Sequence, residues 1–310
     1  MRRRQNPSIP LPAAFSMLLA ATVLASPLQG AELVQGVRSK LSAADLASGE
    51  AAVEAYRLAK GIDSEYLNAV GWLARGAEML GKRDKAAAWV AELRREIPAE
   101  APGTIVPLGA AIEVEGKLTL ANGGRGAAIR FLEGELALAK DTSLRSRIRK
   151  NLNILTLEGE AAPEILAAET LSGPPVRLAD LSGRPVLLYF WANWCGDCKA
   201  ESAKLARLRE RYAPKGLVLV APTRLYGSVE AKKDASPEEE KAHVRKVFAE
   251  AYPGLEGVSV PVDTETMVRY GASATPTYTL VDRKGRVRFY SPTRVSEAEL
   301  TRRIEALLSE

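Results

Sequence analysis

The residues best suited to chemistry in this chain of 310 are Cys195 and Cys198, its two cysteines. They lie in Trp191-Ala192-Asn193-Trp194-Cys195-Gly196-Asp197-Cys198, between an apolar run that reads as a strand and an amphipathic run that reads as a helix. Cysteines three apart at a helix start can close a small disulfide. The first sulfur then stands where unpaired backbone N–H groups and the helix dipole favour a thiolate, so Cys195 is the expected nucleophile. In a mixed disulfide with a partner, Cys198 is the thiol available to attack and release product. A lone C-x-x-C pair also suits zinc, but two thiolates cannot complete a four-thiolate structural site, and the strand-to-helix context favours redox chemistry. Two soft sulfurs could instead hold Cu(I). With no methionine or histidine near the pair in sequence, metal handling is the lesser reading.

The elements that must position this pair follow from periodicity. From Pro163 onward, strand-like runs over 186–191, 217–221, 259–262, 277–281 and 286–290 alternate with helix-like runs, the first over 196–212 and the last closing the chain. That alternation predicts an α/β domain over 163–310 with helices on both sheet faces. Ser236 with Glu239, reinforced by Pro237, and Ser296 with Glu299 read as capping boxes. Leu300, Ile304, Leu307 and Leu308 form one apolar stripe on the last helix, and Asp282-Arg283-Lys284-Gly285 reads as a hairpin turn. The polar stretch 223–241 is longer than an ordinary connection and borders the predicted site. Glu238 to Glu240 reads as a charge run at a helix N-terminus, which the dipole explains, and His243, the sole histidine, as a solvated surface residue on a polar helix.

Residues 32–160 read as all-helical, rich in Ala, Leu, Arg and Glu, with breaks at Gly61, Pro98, Pro102-Gly103 and Asn122 to Gly124. Between Leu67 and Pro98, residues Leu73, Ala74, Ala86 and Val90 fall at the packing positions of a tetratricopeptide hairpin, which this stretch resembles. The segments 80–88 and 120–128 are weakly similar and suggest a second hairpin, forty residues on against a family period of 34. Such a region serves either to dock a protein partner or as a helical cap or dimerisation element.

Composition bounds the rest. At 46% hydrophobic and 26% charged, the chain is an ordinary globular sequence with room for two domains, which excludes a polytopic membrane protein, a disordered chain and a collagen-like one. Arg2, Arg3 and Arg4, an apolar run over 13–25, then small residues and Pro27 read as a signal peptide over 1–25, with a cut near Ala31 as the alternative. The run is short of the roughly 20 residues a bilayer needs, so an uncleaved anchor is the lesser reading and the expected compartment is a bacterial periplasm. Losing three arginines reduces 43 basic residues to 40 against 38 acids, so the net charge falls from +5 to +2. That leaves no charge argument for a nucleic-acid partner.

The stretch Phe190-Trp191-Ala192-Asn193-Trp194-Cys195-Gly196-Asp197-Cys198-Lys199-Ala200-Glu201 resembles the active site of the thioredoxin superfamily, in particular the exported TlpA/ResA-type thiol-disulfide oxidoreductases. The likeness covers about 163–310 and includes the approach segment 178–185 and Ala274-Thr275-Pro276-Thr277. It implies a thioredoxin-like fold, no bound cofactor, protein thiols and disulfides as partners, and a membrane thiol donor for re-reduction. It implies a cis Pro276 facing the cysteines, Thr275 beside it with its hydroxyl toward the Cys195 thiolate, and Trp194 as a partner-contact surface. Trp191 is expected under the sheet. Thioredoxin's buried aspartate is replaced here by Tyr189, so proton handling shifts to Glu201, whose match in the family lies beneath the cysteines. A buried carboxylate there is expected to have a raised pKa and to take the Cys198 proton. Gly196 and Asp197, between the sulfurs, tune pKa and potential; Asp197 replaces a common proline, and its charge opposes thiolate formation, which favours a reductant role. Ala192 stands where peroxiredoxins place threonine, which argues against peroxidase chemistry.

Overall fold

The structure, a computed structural model, describes residues 31–230 and 232–310; the leader expected over 1–25 lies outside them. Helices α1 (Ala31–Ser42), α2 (Leu46–Lys60), α3 (Ser64–Met79) and α4 (Arg83–Glu96) come first. Short acidic side chains start two of them: Asp45 accepts the Ser48 N–H at 3.0 Å and Asp63 the Tyr66 N–H at 2.8 Å, which satisfies amides that have no partner within the helix. Gly61, at φ 81°, closes α2 in a conformation that side chains with a Cβ resist. Between α3 and α4 the small residues Ala74 and Ala86 are fully buried together with Leu73, so the two helices form a tight hairpin.

Helix α5 (Ile105–Leu138) doubles back on itself. Its one non-helical residue is Gly124, at φ 77° and ψ 176°, and a Cβ on Gly116 would lie 3.1 Å from the Leu132 side chain. In a straight helix those residues would be roughly 24 Å apart. The break expected at 122–124 is therefore the turn of a second helical hairpin, and the weak likeness between 80–88 and 120–128 marks two turns. Helix α6 (Thr142–Thr156), capped by Asp141, completes this half.

Inside it Glu113 of α5 joins three helices, bonding Arg75 at 3.1 Å and Lys150 at 3.0 Å with Lys117 at 3.8 Å. Burial pushes the Glu113 carboxyl up, but the three cations outweigh it and hold the pKa down to about 2. Lys150 shares that one carboxylate with other cations, and burial pushes its own pKa down. Because the folded pKa of Glu113 lies below its unfolded value near 4.5, its stabilisation is present above pH 4.5 and is lost as the pH falls toward 2. Denaturant titrations are expected to show a loss on the order of 3 kcal/mol across that window, largely absent from Glu113→Gln. An equal acid loss in the variant would assign it elsewhere.

The second half is built on β1 (Val186–Phe190), β2 (Val218–Val220), β5 (Thr277–Val281) and β6 (Val287–Ser291), in spatial order β2-β1-β5-β6. β1 runs parallel to β2 and antiparallel to β5, and β5 is antiparallel to β6. Every residue of β1 is buried, as a central strand covered on both faces requires. Leu187 and Tyr189 face a core completed by α8 (Ser202–Tyr212), α9 (Pro237–Ala251) and α11 (Glu297–Ser309); Val186, Leu188 and Phe190 face one completed by α10 (Thr264–Arg269) and by Leu157 and Ile165. This is the thioredoxin-like arrangement behind an all-α region. No helix among the described residues is long and apolar enough to cross a membrane.

Several elements depart from expectation. The helix over 196–212 is two helices, α7 (Gly196–Ala200) and α8, which meet at Glu201. Residues 259–262 make isolated parallel bridges, Val220 to Ser259 and Thr223 to Val262, because Pro261 has no N–H to continue a ladder. The polar stretch holds a two-residue hairpin, β3 (Ser228–Val229) with β4 (Lys232–Lys233). Ser236 and Glu239 form the full capping box, whereas at Ser296 one arm is present: the Glu299 carboxylate turns to Arg302 and Arg303 instead.

The two halves touch at a segment that lies shortly before Pro276 in the chain. Asn153 of α6 donates to the Arg269 carbonyl at 3.0 Å. Gly271, at φ 61°, approaches α6 so closely that a Cβ there would lie 2.4 Å from the Lys150 nitrogen.

Candidate active site

β1 ends in a buried run, Trp191-Ala192-Asn193, after which the chain surfaces at Trp194, 61% exposed. Trp191 is held under the sheet: its indole N–H donates to the Ala221 carbonyl at 3.0 Å, and its ring packs on Phe248 and Tyr252. Cys195 is the N-cap of α7, and its sulfur accepts the Cys198 N–H at 3.1 Å. In the reduced protein that amide and the helix dipole favour negative charge on Cys195. The two cysteines are joined as a disulfide with Cα atoms 5.2 Å apart. Cys195 keeps 5% of its surface and Cys198 none, which decides which sulfur a partner reaches first.

The Thr275–Pro276 peptide is cis, and the Thr275 carbonyl oxygen lies 3.4 Å from the Cys195 sulfur. The group of Thr275 that makes this contact is its backbone carbonyl, because the chain turns at Pro276 and presents its main chain to the cysteines. Gly196 has nothing within 4 Å of where a Cβ would sit, so the space over this turn is open.

Glu201 differs most from expectation. It is buried, at 3% exposure, but its carboxyl is held below the usual range, not above it. Burial pushes it up, and hydrogen bonds from Lys204, from Tyr278 and from Arg294 at 3.0 Å together push it further down. The expected raised pKa fails because two cations and a phenol reach the carboxylate, and of these only Lys204, three residues along the helix, is near it in sequence. Tyr278 is two residues past Pro276, and strand alternation puts it on the face of Tyr189. Arg294, from the segment before α11, carried no sequence signal. Its guanidinium also stands 3.7 Å from Asp197, so the exposed charge between the cysteines is partly offset.

Tyr189, at the position of thioredoxin's aspartate, donates its hydroxyl to the Cys198 carbonyl at 2.8 Å and packs on Tyr278 at 5.2 Å between centroids. Burial pushes its pKa far up, so it stays a neutral donor.

Glu240 does more than complement the helix dipole. It is 1% exposed, and its two oxygens accept the N–H groups of Tyr226 at 2.7 Å and Gly227 at 2.8 Å, which pins the loop whose Tyr226 ring meets Trp194 edge-on at 5.3 Å. His243 is half-buried on α9. Among the described residues no group of three or more His, Cys, Asp or Glu side chains is placed to hold a metal ion.

Comparison with known proteins gives a consistent result for this half of the chain. Residues 159–290 match the AhpC/TSA family. The thioredoxin-like protein YneN of Bacillus subtilis (strain 168) is 44% identical over 64 residues, 21% of this chain and 36% of that protein. The thiol-disulfide oxidoreductase ResA of the same strain is 30% identical over 134 residues, 42% of this chain and 64% of that protein. The chain thus spans from about a third to two thirds of the length of these curated relatives. A putative thiol:disulfide interchange protein DsbE from Chlorobium tepidum, known from its crystal structure, is 28% identical with a TM-score of 0.39, covering 49% of this chain and 97% of that one.

Proposed function

From residues 159–290, a thioredoxin-like domain of the AhpC/TSA type related to ResA-type oxidoreductases, we propose that the whole chain is an exported thiol-disulfide oxidoreductase acting on protein partners as a reductant. The observation that carries this reading is the Cys195–Cys198 disulfide at the head of α7, faced by the Thr275 carbonyl before a cis Pro276.

The Cys195 thiolate attacks one sulfur of a partner disulfide, and the partner's other sulfur leaves as a thiolate. Cys198 then attacks the Cys195 sulfur, which frees the partner as a dithiol and leaves the domain in the oxidised form seen here. Two electrons pass to the partner; a membrane dithiol donor returns them. Thr275 and Pro276 present main-chain groups to the partner strand, and Trp194 supplies an exposed apolar contact. Glu201, held ionised, is a positioning residue, locking the α7–α8 junction to β5 and to the segment before α11. Asp197 disfavours the thiolate and lowers the potential, tempered by Arg294. Residues 1–25 direct export to the periplasm, 32–160 form a helical domain that docks a further protein, and 163–310 carry the redox site.

The equilibrium reduction potential of the Cys195/Cys198 couple tests the proposal. A value below about −220 mV is expected for a reductant served by a dedicated donor. One near −120 mV would reverse the direction, and the absence of any redox transition would overturn the oxidoreductase reading itself.

A further inference from the structure

The loop that follows β2 builds a ledge beside Cys195. Thr223 anchors its start: its N–H donates to the Pro261 carbonyl and its hydroxyl to the Trp191 carbonyl. The Glu240 carboxylate anchors its end at Tyr226 and Gly227. Between these anchors lies Arg224, its guanidinium carbon 4.6 Å from the centroid of the Tyr226 ring, which in turn meets Trp194. Cys195, Trp194, Tyr226 and Arg224 are therefore contiguous.

Arg224 has no carboxylate within ion-pairing distance among the described residues. Glu240, the acid that pins the same loop, spends both oxygens on backbone amides. The helical half holds a second arginine with an unmet donor. Arg147 of α6 also lacks an ion-pair partner among the described residues, and its Nε is buried without a hydrogen bond. Burial is the main influence against its charged form, with Arg75 and more weakly Arg224 on the same side, while Glu113 and Asp141 favour the charge. α6 is held on this side by the close backbone packing of Lys150 on Gly271, shortly before Pro276.

We propose that Arg224 is a recognition site for acidic side chains, so that the preferred partners carry Asp or Glu beside the cysteine they present to Cys195. A carboxylate placed there meets a planar fork of donors that has no carboxylate partner of its own among the described residues and is already oriented by the Tyr226 ring. Arg224 thus sets which disulfides dock, and takes no part in the exchange itself. The inference rests on the proposed disulfide exchange with proteins, and its test separates the two.

The first measurement is fluorescence anisotropy with the oxidised protein and a labelled, cysteine-free peptide in which serine is flanked by aspartates, against its asparagine counterpart. The second is the rate at which the reduced protein reduces disulfide peptides with the same flanks. In both, the aspartate peptide is expected to be favoured about three- to tenfold at low salt, less at high salt, and the Arg224→Gln variant to lose that preference with the asparagine peptide unchanged. Equal behaviour of the two peptides with the wild-type protein, or an equal loss for both in Arg224→Gln, would overturn the proposal. A binding preference without any disulfide reduction would uphold the ledge and sink the redox reading; reduction without preference would do the reverse.

Discussion

A Cys198→Ser variant is expected to stop the exchange half-way and leave the protein covalently joined to its partners. Cys195 caps α7, receives the Cys198 amide on its sulfur and retains some accessible surface, so it can open a partner disulfide alone. The sulfur that would resolve the complex is fully buried and set under the Tyr189 hydroxyl bond to its carbonyl. With serine there the leaving step has no nucleophile, and turnover should fall to the uncatalysed background while reducible high-mass adducts accumulate on non-reducing gels. Cys195→Ser should lose turnover equally but form no adduct. Adducts from Cys195→Ser and none from Cys198→Ser would exchange the roles of the two sulfurs.

Glu201→Gln is expected to cost about 3 kcal/mol or more of stability. Removing one member of a buried ion pair leaves its partners uncompensated, typically at a cost of about 3–5 kcal/mol, and the lower end applies because Arg294 is itself half exposed. Lys204 is the side chain left stranded, at 11% exposure. The sign of the pH effect follows from the lowered pKa: the contribution of Glu201 is complete above its unfolded value near 4.5 and disappears as the pH falls through the lower folded value. The variant should therefore lose stability at neutral pH and converge on the wild type in acid. The same pKa predicts that the pH profile of exchange keeps its shape above pH 5 in Glu201→Gln, with at most a uniform loss of rate. A limb between pH 5 and 8 that vanished with the glutamate would restore it as the proton acceptor for Cys198.

Much of the α/β half was legible because its signals are local. Val186 to Phe190 is apolar throughout, Thr277 to Val281 likewise, and Ser236 with Glu239 caps α9 as the spacing implies. Residues in contact across long stretches of chain gave no such signal. Arg294 reaches Glu201 over 93 positions, and nothing in the charge pattern near either residue marks the pair. Glu240 reads in sequence as one member of an acidic helix N-terminus; its burial depends on a loop that turns back to place two amides on it. The failure at Glu201 has the same origin. That carboxylate is buried, but the sign of its pKa shift depends on which charges arrive beside it.

The sequence alone determined what is written in neighbouring residues: a redox-capable cysteine pair at a strand-to-helix junction, an α/β half behind a helical one, and a proline two residues before Tyr278. Turns, caps and strand periodicity are set by φ and ψ preferences and by side chains a few positions apart, so composition and spacing suffice. The tertiary structure decided the electrostatics: that Glu201 is ionised, that Asp197 shares Arg294 with it, that Tyr189 stands in as a neutral donor, and that Arg224 lies on the Tyr226 ring that meets Trp194. Charge interactions act through space and depend on burial, and the chain brings those groups together only on folding.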